Sequence, residues 1–194
     1  MTPADLNDSP SRRYPSAGEQ APEFELVGVG KRPVRSSALL SKGPVILTFY
    51  RGAWCPCCQA DLRDVMCSMP ELERAGVAVV GIFNDLERDA GADVVREYGL
   101  TFNLAGDADG RTAEAFRLRR TAEEIAELER EFGAVPRVLT DDEPWILPMQ
   151  ARFAILPDGV IARSDVVFDY HQRTGVEDLI PLLTKHAQGG LRPR

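Results

Sequence analysis

The strongest pattern in the chain is continuous rather than alternating: Val45-Ile46-Leu47-Thr48-Phe49-Tyr50 is apolar, β-branched or aromatic at every position. Such a run has no solvent face and predicts a strand buried on both sides. Val77-Ala78-Val79-Val80-Gly81-Ile82-Phe83 predicts a second. Between them the period changes: Cys58, Leu62, Val65, Met66 and Met69 fall at i, i+4, i+7, i+8 and i+11, one apolar stripe of a helix. Pro70 interrupts that helix, and Ser68 with Glu71 makes a capping-box pattern, so a break and restart is expected there.

Shorter signals complete the order. Phe24 to Val27 predicts a leading strand, Asp89 to Tyr98 a helix ended by Gly99, and Phe102 to Leu104 a strand. Asp109-Gly110 turns into a helix near 112–116. Thr121 and Glu124 open an acidic helix to Phe132, whose surroundings up to Trp145 lack any strand pattern and read as a surface insertion at about 117–146. Phe153 to Leu156 and Val160 to Arg163, joined by Pro157-Asp158-Gly159, predict a hairpin. Thr174 and Glu177 cap a last helix through Leu183. Alternation in the first half implies parallel strands, and the hairpin implies an antiparallel edge. The resulting α/β layout resembles a thioredoxin-like fold: a central mixed sheet flanked by helices, then a terminal β-hairpin and a C-terminal helix.

A length of 194 residues suits one domain. Residues 1–16, rich in Pro, Ser and Asp, read as a flexible tail, and 17–188 as the domain. The formal net charge of −7 argues against a nucleic-acid partner, because phosphate binding needs clustered Lys and Arg. Arg117 to Arg120 lies beside an acidic run and reads as a solvated helix end. No apolar stretch approaches the roughly 20 residues of a membrane-spanning helix, and the N-terminus lacks a secretory pattern, so a cytoplasmic protein with no membrane partner is expected.

That compartment gives the cysteines their meaning. Cys55, Cys57 and Cys58 are clustered and Cys67 follows, a spacing that favours redox chemistry or metal over a disulfide framework. Pro56 suits a first helical position, which makes Cys55 the N-cap. Free amides one turn ahead and the positive end of the helix then favour its thiolate. Cys58, one turn on, is placed to close a disulfide with Cys55, and Trp54 to shield the pair. Zinc usually takes four ligands in two pairs, and only His171 and His186 are offered, both distant, so no metal or other cofactor is expected. Cys67 reads as a packed helix residue, and Cys57 equally as a third redox thiol or a surface residue. His171 reads as a polar loop residue, and Phe168, Trp145 and Phe153 as packing residues.

Four segments carry a wider likeness: Gly18 to Leu26 (GEQAPEFEL), Phe49 to Cys58 (FYRGAWCPCC), Leu147 to Gly159 (LPMQARFAILPDG) and Asp169 to Arg173. In that order they resemble the peroxiredoxin-like proteins of the alkyl hydroperoxide reductase/thiol-specific antioxidant superfamily, over roughly residues 18–185. Two departures from the family pattern are present. A family Pro, then Thr or Ser, then the peroxide-attacking Cys fall on Arg51, Cys55 and Cys58. A family Arg falls on Gln150, with Arg152 two residues away; Gln150 also stands where thioredoxins place a cis-Pro.

The resemblance implies a thiol-dependent antioxidant oxidoreductase. It would reduce hydrogen peroxide or organic hydroperoxides through a cysteine sulfenic acid and a Cys55–Cys58 disulfide, and a thioredoxin-like dithiol or glutathione would reset it. Arg51 and Arg152 are candidates to lower the thiol pKa and stabilise departing oxygen. Tyr170 and Arg173 are placed near the site by the resemblance. Helix capping favours Cys55 as nucleophile and strand register favours Cys58, so both remain open. The alternative is a thioredoxin-like protein disulfide reductase without peroxidase activity; a third reading, from another class, is an interaction module that docks a partner through the acidic insertion. Monomer and homodimer both remain open.

Overall fold

The computed structural model describes residues 14–53, 55–84, 86, 91–119, 130, 149–166 and 175–189. Seven strands form one sheet in the order β2-β1-β5-β4-β3-β6-β7. They are β1 (Glu25–Gly28), β2 (Pro33–Arg35), β3 (Val45–Phe49), β4 (Ala78–Phe83), β5 (Asn103–Gly106), β6 (Ala151–Ile155) and β7 (Ile161–Val166). Five α-helices are described: α1 (Ser36–Leu40), α2 (Pro56–Arg74), α3 (Gly91–Tyr98), α4 (Arg111–Ala115) and α5 (Ile180–Gly189). Strands β3, β4 and β5 are parallel, while β6 runs antiparallel to β3 and β7 antiparallel to β6. This is the expected mixed sheet with helices about it.

Burial explains the patterning. All five residues of β3 are buried, because its side chains feed two cores. Ile46 and Tyr50 enter one with Leu62, Val65 and Leu72 of α2 and Leu183 of α5. Val45, Leu47 and Phe49 enter the other with Phe116 and Phe153. There the Phe116 and Phe153 rings lie 4.8 Å apart and the Phe49 and Phe116 rings 5.3 Å apart. Phe153 is thus a packing residue on the far face from α2.

Several expectations are revised. Helix α2 runs unbroken through Pro70. Met69 and Leu72, both buried on its inner face, hold the two halves in line across the missing amide. Ser68 makes no cap there; its hydroxyl donates back to the Asp64 carbonyl at 3.3 Å. Cys67 is exposed rather than packed. The pieces β2 and α1 carry no pattern long enough to predict them.

Residues 14–16 also take part in the packing. Tyr14 packs against the second core and its hydroxyl donates to Met149 Sδ at 2.8 Å. Next, Gly18 N–H donates to the Ile161 carbonyl at 2.8 Å and Ala21 N–H to that of Gly159 at 2.9 Å. The expected insertion, with its capping box at Thr121 and Glu124, lies almost wholly outside the described residues. Its two flanks meet, Met149 N–H donating to the Leu118 carbonyl at 2.8 Å. Thr174 also lies outside, and Glu177 occupies a turn ahead of α5.

Candidate active site

Strand β3 ends at Phe49, and Tyr50, still paired through its N–H to the Ile82 carbonyl, delivers the chain to Arg51 at the edge of the first core. A short loop then leads into α2. Cys55 is its N-cap, in extended conformation at φ −82° and ψ 116°, and Pro56 follows at the helix start. The loop is fastened at both ends: Cys55 N–H donates to the Gly52 carbonyl at 3.2 Å, and Gln59 Nε2 to that of Ala53 at 2.7 Å.

Several donors converge on one sulfur. Arg51 Nη2 reaches Cys55 Sγ at 3.0 Å and Cys58 N–H reaches it at 3.4 Å. The Cys58 thiol and the Cys57 N–H also hydrogen-bond to the Cys55 side chain. These bonds, the Cys58 thiol first among them, bring the Cys55 pKa down to about 6 despite burial, with Arg51 adding its charge. Cys58 moves the other way, well above the usual thiol range, because it donates to Cys55 and is buried. At neutral pH the pair is one thiolate and one thiol, hydrogen-bonded together. Cys55 is 1% exposed and Cys58 0%.

Below the thiols lies a second polar cluster. Asp61, one turn after Cys58 and also on the buried face of α2, accepts from the Tyr50 hydroxyl at 2.7 Å. The same Oδ2 accepts from Arg152 Nη2, and Arg152 Nε donates to Thr48 Oγ1 at 3.0 Å. The Tyr50 ring fits because position 81 is glycine: a β-carbon there would stand 3.0 Å from Tyr50 Cε2.

Of the sequence candidates, Arg51, Cys55 and Cys58 come together, whereas Arg152 is bound to Asp61 and Thr48. Gln150 is buried at the start of β6, and its Oε1 has no hydrogen-bond partner among the described residues. Cys57 is half-buried beside the pair, and Cys67 lies further along α2. Trp54, Trp145, Phe168 and the segment 169–173, with Tyr170, His171 and Arg173, lie outside the described residues, and the imidazole of His186 is not described. Sequence reasoning missed Asp61 and Tyr50. The available signal was a carboxylate three residues after Cys58, on the stripe otherwise filled by apolar side chains. Among the described residues no group of three His, Cys, Asp or Glu side chains forms a metal-ligand cluster. No helix of the described residues is long and apolar enough to cross a membrane.

The family model of the AhpC/TSA family matches residues 17–164, which takes in both sheet edges and the cysteine loop. The chain belongs to the AhpC/TSA family. A Mycobacterium tuberculosis relative named as a peroxiredoxin is 33% identical over 104 residues, covering 53% of this chain and 66% of its own. The thiol-disulfide oxidoreductase ResA of Oceanobacillus iheyensis is 24% identical over 103 residues, 52% of this chain and 54% of its own. The chain thus spans just under two thirds of the first of these relatives and about half of the second. In three dimensions the fold matches the crystal structure of peroxidoxin BcpB from Mycobacterium tuberculosis. That match has a TM-score of 0.66 and 22% identity, covering 93% of this chain and 100% of the other.

Proposed function

We propose that this protein is a thiol-dependent peroxidase in which Cys55 attacks the peroxide and Cys58 resolves the product. The observation that carries the reading is the convergence of Arg51 and the Cys58 amide and thiol on Cys55 Sγ. The Cys55 thiolate attacks one oxygen of hydrogen peroxide or an organic hydroperoxide. As the S–O bond forms the O–O bond breaks, and the other oxygen leaves as water or an alcohol once protonated. Arg51, already at the sulfur, stabilises the negative charge passing to that oxygen. Cys55 is then a sulfenic acid. The Cys58 sulfur attacks it, forming the S–S bond and breaking S–O, and the hydroxide takes the Cys58 proton and departs as water. An external dithiol or glutathione returns the disulfide to two thiols, itself becoming oxidised. The reading places the protein in the cytoplasm, where that reductant pool keeps thiols available.

Family membership and the peroxiredoxin names among the relatives support a peroxide as oxidant. The choice of Cys55 over Cys58 rests on the hydrogen bonds, against the strand register. Mass spectrometry of peroxide-treated variants tests it. Cys58→Ser should accumulate a sulfenic acid on Cys55, and Cys55→Ser should lose rapid peroxide consumption; a fast reaction that survives in Cys55→Ser refutes the assignment.

A second reading has its own support in the ResA relatives: a protein disulfide reductase using the same Cys55 thiolate. Insulin reduction that proceeds while peroxide consumption is no faster than a free thiol's would favour it.

A further inference from the structure

Asp61 and Arg152 form a buried ion pair, with side chains 4% and 3% exposed. A buried pair carries a desolvation cost that apolar side chains would avoid, so its placement calls for a reason. Arg152 lies opposite Thr48 in the β3–β6 register, and its side chain points to the α2 face of the sheet, the face that holds the cysteines. On that face Arg152 donates to Asp61 and Thr48. Tyr50 joins the two clusters, donating to Asp61 while its phenol feels the charges of Asp61, Arg152 and Cys58.

We propose that Asp61 is a positioning residue that holds Arg152 away from the thiols, leaving Arg51 as the guanidinium that meets sulfur. This rests on Cys55 being the attacking sulfur. Among the described residues, the titratable and charged groups on the elements around the thiols are Arg51 on the loop, Tyr50 just past β3, Asp61 and the half-buried Cys57 on α2, and Arg152 on β6, the last bound to Asp61. Two adjacent thiolates would repel, and the Cys58 thiol would have no hydrogen to donate to Cys55. The hydrogen bond that lowers Cys55 therefore exists only while Cys58 stays protonated.

The experiment is a thiolate-absorbance titration of the full reduced chain carrying Cys57→Ser and Cys67→Ser, which isolates the pair. This parent should show one thiolate appearing near pH 6 and the second only at strongly alkaline pH. Asp61→Asn should bring the second thiolate down by at least about one pH unit, a tenfold change in its ionisation constant. Asp61→Asn combined with Arg152→Met removes both charges and should titrate like the parent, and Asp61→Glu should do the same. A purely structural role for Asp61 does not predict that removing Arg152 as well restores the profile. If Asp61→Asn titrates as the parent does, or if the double variant matches the single one, the proposal is overturned. Where Asp61→Asn does not fold, Arg152→Met decides: Asp61 then acts on the pair without its cation, and the first thiolate must move up by about one pH unit or the proposal fails. Alkylation mass spectrometry of the parent near pH 7 keeps the two claims apart. Label found first on Cys58 removes the Cys55 assignment whatever Asp61→Asn does.

Discussion

Arg51 is one of the groups that favour the Cys55 thiolate, behind the Cys58 thiol. Arg51 Nη2 lies 3.0 Å from Cys55 Sγ, so Arg51→Met should raise the Cys55 pKa by about one unit and slow its alkylation at pH 7 about twofold. In the unsubstituted chain the same rate should climb through pH 6, where Cys55 ionises, and level off well before pH 8. A stopped-flow pH profile measures both. The Cys-Pro step alone made Cys55 legible as a helix cap, since proline at the first helical position and a side-chain acceptor before it are local requirements. Asp61 was not legible, because its partners are 11 and 91 positions away and meet it only when β3, α2 and β6 pack. Gln150 shows the same limit. Its buried Oε1 lacks a partner among the described residues, so Gln150→Met should raise stability by about 1 kcal/mol in chemical denaturation.

At the scale of elements, α2 matters most because it carries both thiols and Asp61. Its apolar stripe was readable, and it overrode the proline that seemed to divide the helix: packing of Met69 and Leu72 outweighs one lost backbone hydrogen bond. Pro70→Ala should accordingly stabilise the protein, by about 1–3 kcal/mol, without moving the helix ends. Helix α4 has a different anchor. Asp107, buried at the end of β5, accepts from the amides of Thr112 at 3.0 Å and Ala113 at 2.7 Å. Asp107→Ala leaves both amides unpaired and should lower the denaturation midpoint by an amount worth about 1–2 kcal/mol. The long strands were legible as continuous apolar runs. The three-residue β2 and the five-residue α1 were not, since neither spans enough positions for a period to show.

For the molecule as a whole, the site and the stability are linked through protons. Cys55 ionises near 6 in the fold and near roughly 8.5 when unfolded, so ionisation stabilises the reduced protein fully above roughly pH 8.5 and not at all once the pH falls below 6. Cys58, shifted upward, opposes this only at alkaline pH. Denaturation at pH 6 and pH 8 should therefore show the reduced protein gaining on its Cys55→Ser variant as the pH rises, a difference that oxidation to the disulfide removes. The fold class was legible because strand, helix and hairpin signals came in an order few topologies satisfy. The antiparallel place of β1 beside β5 was not, as pairing partners leave no mark on so short a strand. The β3–β6 pairing has a further consequence in time. Thr48 sits opposite Arg152, more than a hundred positions later in the chain, so during synthesis the thiol-bearing helix emerges long before the strand that completes its surroundings. A nascent chain halted short of β6 would leave Asp61 without its cation and both sulfurs without the strand that covers them, open to any passing oxidant, which makes prompt release of the last quarter of the polypeptide a condition for clean maturation.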